Sequence, residues 1–183
     1  MSLPLAARRR PTTLSALKGQ EHLLSLGSLL YSAITAGKLF SMIFWGPPGS
    51  GKTTLSEIIS RAAKANFIRV NAVASGIADL KKAIAEAQAQ KNSLFHQETI
   101  LFIDEIHRFN KAQQDFLLPS VEHGDVILIG ATTENPSFEV ISALLSRTKV
   151  FTLNPLTDEH ILVILEEALT DDEEIKKYSG QIT

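Results

Sequence analysis

Gly46-Pro47-Pro48-Gly49-Ser50-Gly51-Lys52-Thr53-Thr54 follows the apolar run Ser41-Met42-Ile43-Phe44-Trp45 and precedes a helical pattern over residues 52–64. This passage decides the fold. Gly46 to Thr53 fit G-x-x-x-x-G-K-[ST], in the strand-then-helix context that the pattern requires. Glycines let backbone N–H groups turn inward and crowd a phosphate with no Cβ in the way. The helix that follows adds its positive N-terminal end. Lys52 is placed to meet the β and γ phosphates of a nucleoside triphosphate, and the Thr53 hydroxyl to ligate Mg²⁺. The implied ligand is ATP with Mg²⁺, held on a loop from Gly46 to Thr54.

Working outward, further apolar strands are predicted at Phe67–Val70, Thr99–Ile103, Val126–Ile129 and Lys149–Leu153. Between them lie helical patterns marked by Ile77, Leu80, Ile84 and Ala87, by a segment from about Lys111 kinked or broken at Pro119, and by Ile141–Leu145. Upstream, Leu23, Leu26, Leu30 and Ile34 recur at helical spacing before a stop at Gly37. Continuous apolar strands alternating with amphipathic helices predict an α/β fold, a five-stranded parallel sheet between two helical layers. Ligands on such sheets bind at the carboxyl ends of the strands, and every polar cluster falls there. Residues 1–155 are assigned to this nucleotide-binding domain. After Asn154-Pro155, Thr157 can cap a helix carrying Ile161, Leu162, Ile164, Leu165 and Leu169, followed by the acidic run Asp171–Glu174. One helix cannot bury its own apolar stripe, so residues 156–183 are expected to begin a second, helical domain in which the chain stops.

The chain has 183 residues, 44% hydrophobic and 21% charged, which suits a globular domain with a real core. A formal net charge of −2 gives no overall electrostatic case for nucleic acid, which would need a local patch. Cysteine is absent, which excludes disulfides and thiolate metal sites. No apolar run approaches the ~20 residues of a membrane span, and Arg8, Arg9 and Arg10 follow the first short apolar stretch rather than precede it, unlike a signal peptide. The expected location is cytoplasmic.

Leu101-Phe102-Ile103-Asp104-Glu105 supplies the second element of the site. Asp104 at the strand tip would hold Mg²⁺, and Glu105 would orient and polarise the attacking water. A Glu beside the metal-binding Asp favours hydrolysis over phosphate transfer to a small molecule. Thr133 could place a hydroxyl near the γ-phosphate or be an ordinary turn residue. Arg147 could reach a neighbouring subunit's nucleotide as an arginine finger or be a surface arginine. Asn71 could hydrogen-bond Glu105 or simply form a turn. His107, Arg108 and Lys111 form a small basic cluster, either a solvated helix start or an edge facing DNA.

These residues, taken together, resemble the AAA+ ATPases of the clamp-loader clade. Gly19-Gln20-Glu21-His22-Leu23-Leu24, Ser41–Trp45, Asp104–Asp115 and Ile129–Glu139 narrow the resemblance to the family of replication-associated recombination protein A and its eukaryotic counterpart, the Werner-helicase-interacting ATPase. The resemblance covers residues 5–170. It implies an AAA+ domain followed by a helical lid, with the adenine side closed by the segment before Gly19-Gln20 and by residues 156–161. It gives Thr133 the γ-phosphate sensor role and Arg147 that of a finger acting on the neighbour's nucleotide. It also implies a DNA-dependent ATPase, a homo-oligomer acting on forked or single-strand/duplex DNA in replication-fork maintenance, recombination and repair. Single-strand-binding protein and the replication machinery would be partners, and the location nucleoid-associated. The family pattern puts a further lid arginine and an oligomerisation domain beyond residue 183. A chain ending there is expected to be largely monomeric, to bind nucleotide weakly and to hydrolyse it poorly.

Clamp-loader subunits and branch-migration motors share the nucleotide elements but not the strings at 107–115 and 134–139. A protein-threading unfoldase would need an aromatic loop after the second strand, and Ala72-Val73-Ala74-Ser75-Gly76 has none. A small-molecule kinase would lack an arginine finger.

Overall fold

The computed structural model describes residues 4–94 and 96–172. Residues 173–183 of the second region assigned above, Glu173 and Glu174 among them, lie outside the described residues. Five strands form one sheet: β1 (Met42–Trp45), β2 (Asn66–Asn71), β3 (Thr99–Asp104), β4 (Ile127–Thr132) and β5 (Lys149–Thr152). Their order is β2-β3-β4-β1-β5 and every pairing is parallel. The chain also forms helices α1 (Leu5–Arg8), α2 (Glu21–Leu24), α3 (Leu29–Thr35), α4 (Lys52–Ala63), α5 (Ile77–Lys91), α6 (Lys111–Asp115), α7 (Leu118–Glu122), α8 (Pro136–Glu139), α9 (Ser142–Leu145) and α10 (Asp158–Asp171).

The central strands are apolar without interruption because both sheet faces are covered. Alternate side chains go to opposite layers. Met42, Phe44, Ile100 and Phe102 pack with Leu30 and Ile34 of α3 and Leu55, Ile58 and Ile59 of α4. Ile43, Leu101 and Ile103 pack on the other face with Leu80, Ile84 and Ala87 of α5 and Leu144 of α9. The three-layer α/β prediction therefore holds.

Three local expectations differ. The helix read through Leu23–Ile34 is two helices, because Gly27 turns the chain at φ 85° and the Ser28 side chain caps α3 by accepting from Tyr31 N. Leu26, counted in the apolar stripe, is 87% exposed. The segment from Lys111 breaks ahead of Pro119, which sits in the first turn of α7, where its missing N–H costs nothing. β4 runs on through Gly130-Ala131-Thr132, since the ladder to β1 continues past Gly130↔Ile43 to Thr132↔Trp45.

Beyond β5, Thr157 caps α10 by accepting from His160 N, and Asp158 and Glu159 occupy the first turn. α10 buries Ala168 but leaves Leu162, Leu165 and Leu169 more than half exposed. No helix among the described residues is long and apolar enough to cross a membrane.

Candidate nucleotide-binding site

β1, between β4 and β5, ends at Trp45 and delivers the loop to the strands' carboxyl edge. Gly46 sits where β5 closes in: a Cβ there would lie 2.5 Å from the Leu153 carbonyl oxygen. Gly51 adopts φ 94° to turn the loop into α4, a conformation that costs any other residue. Lys52 begins α4 and folds back over the loop. Its Nζ donates to Gly46 O at 2.7 Å and to Pro47 O at 2.9 Å. Burial pushes its pKa below the ordinary 10.5, against the opposing pull of Glu105 and Asp104. An ammonium group held this way, with carbonyl dipoles for partners, gains most from an arriving anion.

Asp104 and Glu105 arrive from β3, next but one to β1. A cavity of about 330 Å³ joins Lys52, Thr53, Thr54, Asp104 and Glu105. The site residues named from the sequence on the loop and on β3 thus meet in one place. A hydroxyl and a carboxylate, completed by phosphate oxygens and water, suit a hard cation such as Mg²⁺. The described residues hold no cluster of three or more His, Cys, Asp or Glu that would bind a metal without phosphate. Arg69 of β2 pairs with Asp104 at 2.6 Å, its guanidinium lying over the Phe102 ring. A cationic side chain thus already pairs with the acid that the sequence put forward for the metal.

A second pocket of about 110 Å³ adjoins the loop at Gly49–Gly51 and is walled by Leu17, Lys18, Leu156 and Ile164. These are the segment before Gly19, the linker just ahead of α10, and the middle of that helix; the first two are on the side expected to hold the base. Gln20, fully buried, ties the two walls to the loop. Its Nε2 donates to Ser50 O and Asn154 O, and its Oε1 accepts from Asn154 N.

Thr133 is half-buried immediately after β4, whose Thr132 carbonyl accepts from Gly46 N at 3.2 Å. Arg147 is not brought to this cavity. It lies just ahead of β5, toward the amino edge of the sheet, donates to Ala143 O and Ser146 Oγ, and pairs with Glu122. Asn71 does not meet Glu105: its side chain accepts from Val73 N, the turn-forming alternative. Glu105 is instead flanked by His107, whose Nδ1 is 3.3 Å from Glu105 Oε2.

Sequence reasoning missed Arg10, which lines the phosphate cavity while paired with Glu57 at 3.0 Å. It follows Arg8 and Arg9, which bind α10 through Asp172, Asp171 and the Glu167 carbonyl. The run of three arginines was the available signal. The 134–139 string also has a physical reason: Asn135 caps α8 by accepting from Ser137 N, with Pro136 in the first turn, and buried Gln114 of α6 donates to Glu139 O.

The Lys52 burial has a measurable consequence. Between its lowered folded pKa and 10.5 the unfolded chain binds more protons at this site, so stability rises with pH across that window. Lys52→Met removes this contribution. In denaturant titrations without nucleotide, the parent should gain stability relative to Lys52→Met as pH climbs toward 10.5. A difference that stays constant with pH would show that burial does not tax the ammonium.

Comparisons with known proteins agree with this geometry. Residues 42–156 match the family "ATPase family associated with various cellular activities (AAA)". Replication-associated recombination protein A of Haemophilus influenzae is 54% identical over 92% of this chain and 37% of its own. ATPase WRNIP1 of Dictyostelium discoideum is 49% identical over 91% of this chain and 19% of its own. Among solved structures, the RuvB Holliday junction branch migration motor of Thermotoga maritima superposes with a TM-score of 0.69 at 32% identity, covering 88% of this chain and 54% of that one. The chain therefore spans well under half the length of the curated relatives it matches. Both curated relatives bear out the resemblance drawn from the sequence strings.

Proposed function

Because the chain belongs to the AAA family of ATPases, we propose that it binds and hydrolyses ATP with Mg²⁺ in work on DNA during replication-associated recombination. The observation that carries this reading is the shared cavity of Lys52, Thr53, Asp104 and Glu105. The Gly46–Thr54 loop and Lys52 take the β and γ phosphates. Thr53 and Asp104 would hold Mg²⁺, which when bound would neutralise charge on the phosphates. Glu105 orients and polarises the attacking water, and Thr133 places its hydroxyl against the γ-phosphate. Arg69, paired with Asp104 Oδ2, would share that carboxylate with the metal or release it.

Arg147 stands away from this chain's own cavity, which supports a role on the nucleotide of a neighbouring copy. The working form is then a homo-oligomer, with each site shared between two chains. The name of the Haemophilus influenzae relative, replication-associated recombination protein A, supports DNA as the partner. Single-strand-binding protein and the replication machinery are the further partners that the family resemblance implies. The similarity to RuvB supports a second reading, a motor on four-way junctions.

The test is phosphate release by the full-length protein with single-stranded, duplex-end, forked and four-way-junction DNA. Stimulation by forks or single-strand/duplex junctions is expected. Stimulation by four-way junctions alone would favour the second reading, and none by any DNA would sink the DNA-dependent part.

A further inference from the structure

Glu105 carries two irregularities. Its backbone is left-handed, φ 56° and ψ 48°, a costly conformation for a residue with a side chain. Its Oε2 is also buried with no hydrogen-bond partner among the described residues. A carboxylate oxygen in that state is costly unless something completes it. The left-handed turn brings the chain round into a short 3₁₀ turn, Ile106–Arg108, and sets His107 beside Glu105.

The His107 side chain is 12% exposed. Its Nδ1 lies 2.9 Å from Thr132 Oγ1 and 3.3 Å from Glu105 Oε2, the second contact out of hydrogen-bond alignment. Thr132 is fully buried at the tip of β4, and its Oγ1 accepts from Glu134 N at 3.0 Å and lies 3.2 Å from Glu134 O. The Thr132 hydroxyl can donate to Glu134 O or to the imidazole, so its 2.9 Å contact with Nδ1 fits either tautomer. The Glu105 carboxylate oxygen 3.3 Å away favours a proton on Nδ1, because a bare lone pair there would face an anion. That single N–H faces two acceptors, Thr132 Oγ1 and Glu105 Oε2.

We propose that His107 is a positioning residue for Glu105: its Nδ1–H backs Oε2 and leaves the other carboxylate oxygen to face the phosphate cavity. The reading rests on the ATPase function above. It also joins the β4 tip, where Thr133 follows, to the carboxylate through one shared proton. A shift of that tip changes how firmly Glu105 is held. The alternative is an imidazole that only fills space beneath β4.

Two measurements decide it. In the full-length protein, His107→Asn keeps an N–H where Nδ1 was, whereas His107→Gln moves its amide toward the Nε2 position and His107→Ala has none. Turnover should fall about 10-fold in the Ala and Gln variants, with ADP affinity within about 2-fold of the parent, and stay within about 3-fold in the Asn variant. Equal turnover in the Asn and Gln variants would overturn the proposal, and that comparison stands even if the Ala variant does not fold. Imidazole ¹⁵N NMR of the unsubstituted protein supplies a readout independent of turnover. His107 should be the Nδ1–H tautomer, and its ring resonances should move in Glu105→Gln. An Nε2–H tautomer, or unmoved resonances, would overturn the contact. A parent that hydrolyses no ATP would sink the ATPase reading while leaving the tautomer result to judge His107.

Discussion

Glu105→Gln is expected to keep nucleotide binding and to cut ATP turnover by about 10²–10⁴-fold, the usual share of a general base. The amide preserves the side chain's shape and its place in the cavity, but it neither takes a proton nor carries the charge that polarises water. On the proposed assignment binding rests on other groups, chiefly Lys52 and the loop backbone, so affinity for ADP should remain within about 3-fold of the parent. Phosphate release and a fluorescent-nucleotide titration on the same preparation separate the two quantities. Retained turnover would remove Glu105 from its role.

In the full-length protein, Arg147→Ala should be at least as damaging if Arg147 is the proposed finger, since such a finger contributes about 10³–10⁵ in rate. The Glu122 pair and the bonds to Ala143 and Ser146 belong to an exposed network. Surface pairs of that sort contribute little to stability, so the melting temperature should hardly move. The decisive arm is a mixture. Chains with Lys52→Ala bind no phosphate but still offer Arg147, and chains with Arg147→Ala bind nucleotide but offer no finger. Co-assembled, each inactive alone, they should recover measurable turnover at the shared sites. No recovery, with assembly shown by light scattering, would mean that Arg147 does not act across subunits.

The sequence made the phosphate site legible because its chemistry is local: the loop, its strand and its helix are contiguous, and Asp104-Glu105 ends the most continuously apolar strand. The boundaries it misplaced were set by tertiary contacts. Gly130 reads as a strand stop, yet pairing with β1 carries β4 through it. Leu26 reads as core, yet the turn at Gly27 exposes it. The sequence left Asn71 between a bond to Glu105 and a turn, and the Asx turn to Val73 decides it locally. Arg69 carried no signal as a site residue, and the arginine run at 8–10 could not say which of the three enters the site. That is set by where β2 and the N-terminal segment return in space.

Gln20 has a consequence for how the molecule comes apart. Its buried amide joins the phosphate loop at Ser50 to the linker at Asn154 through both its donor and acceptor ends. Breaking either connection strands a buried polar group, so neither is cheap to break alone. The loop and the approach to α10 therefore belong to one cooperative unit of local unfolding. A nucleotide that slows the opening of the first should slow amide exchange in the second, far beyond the atoms it touches.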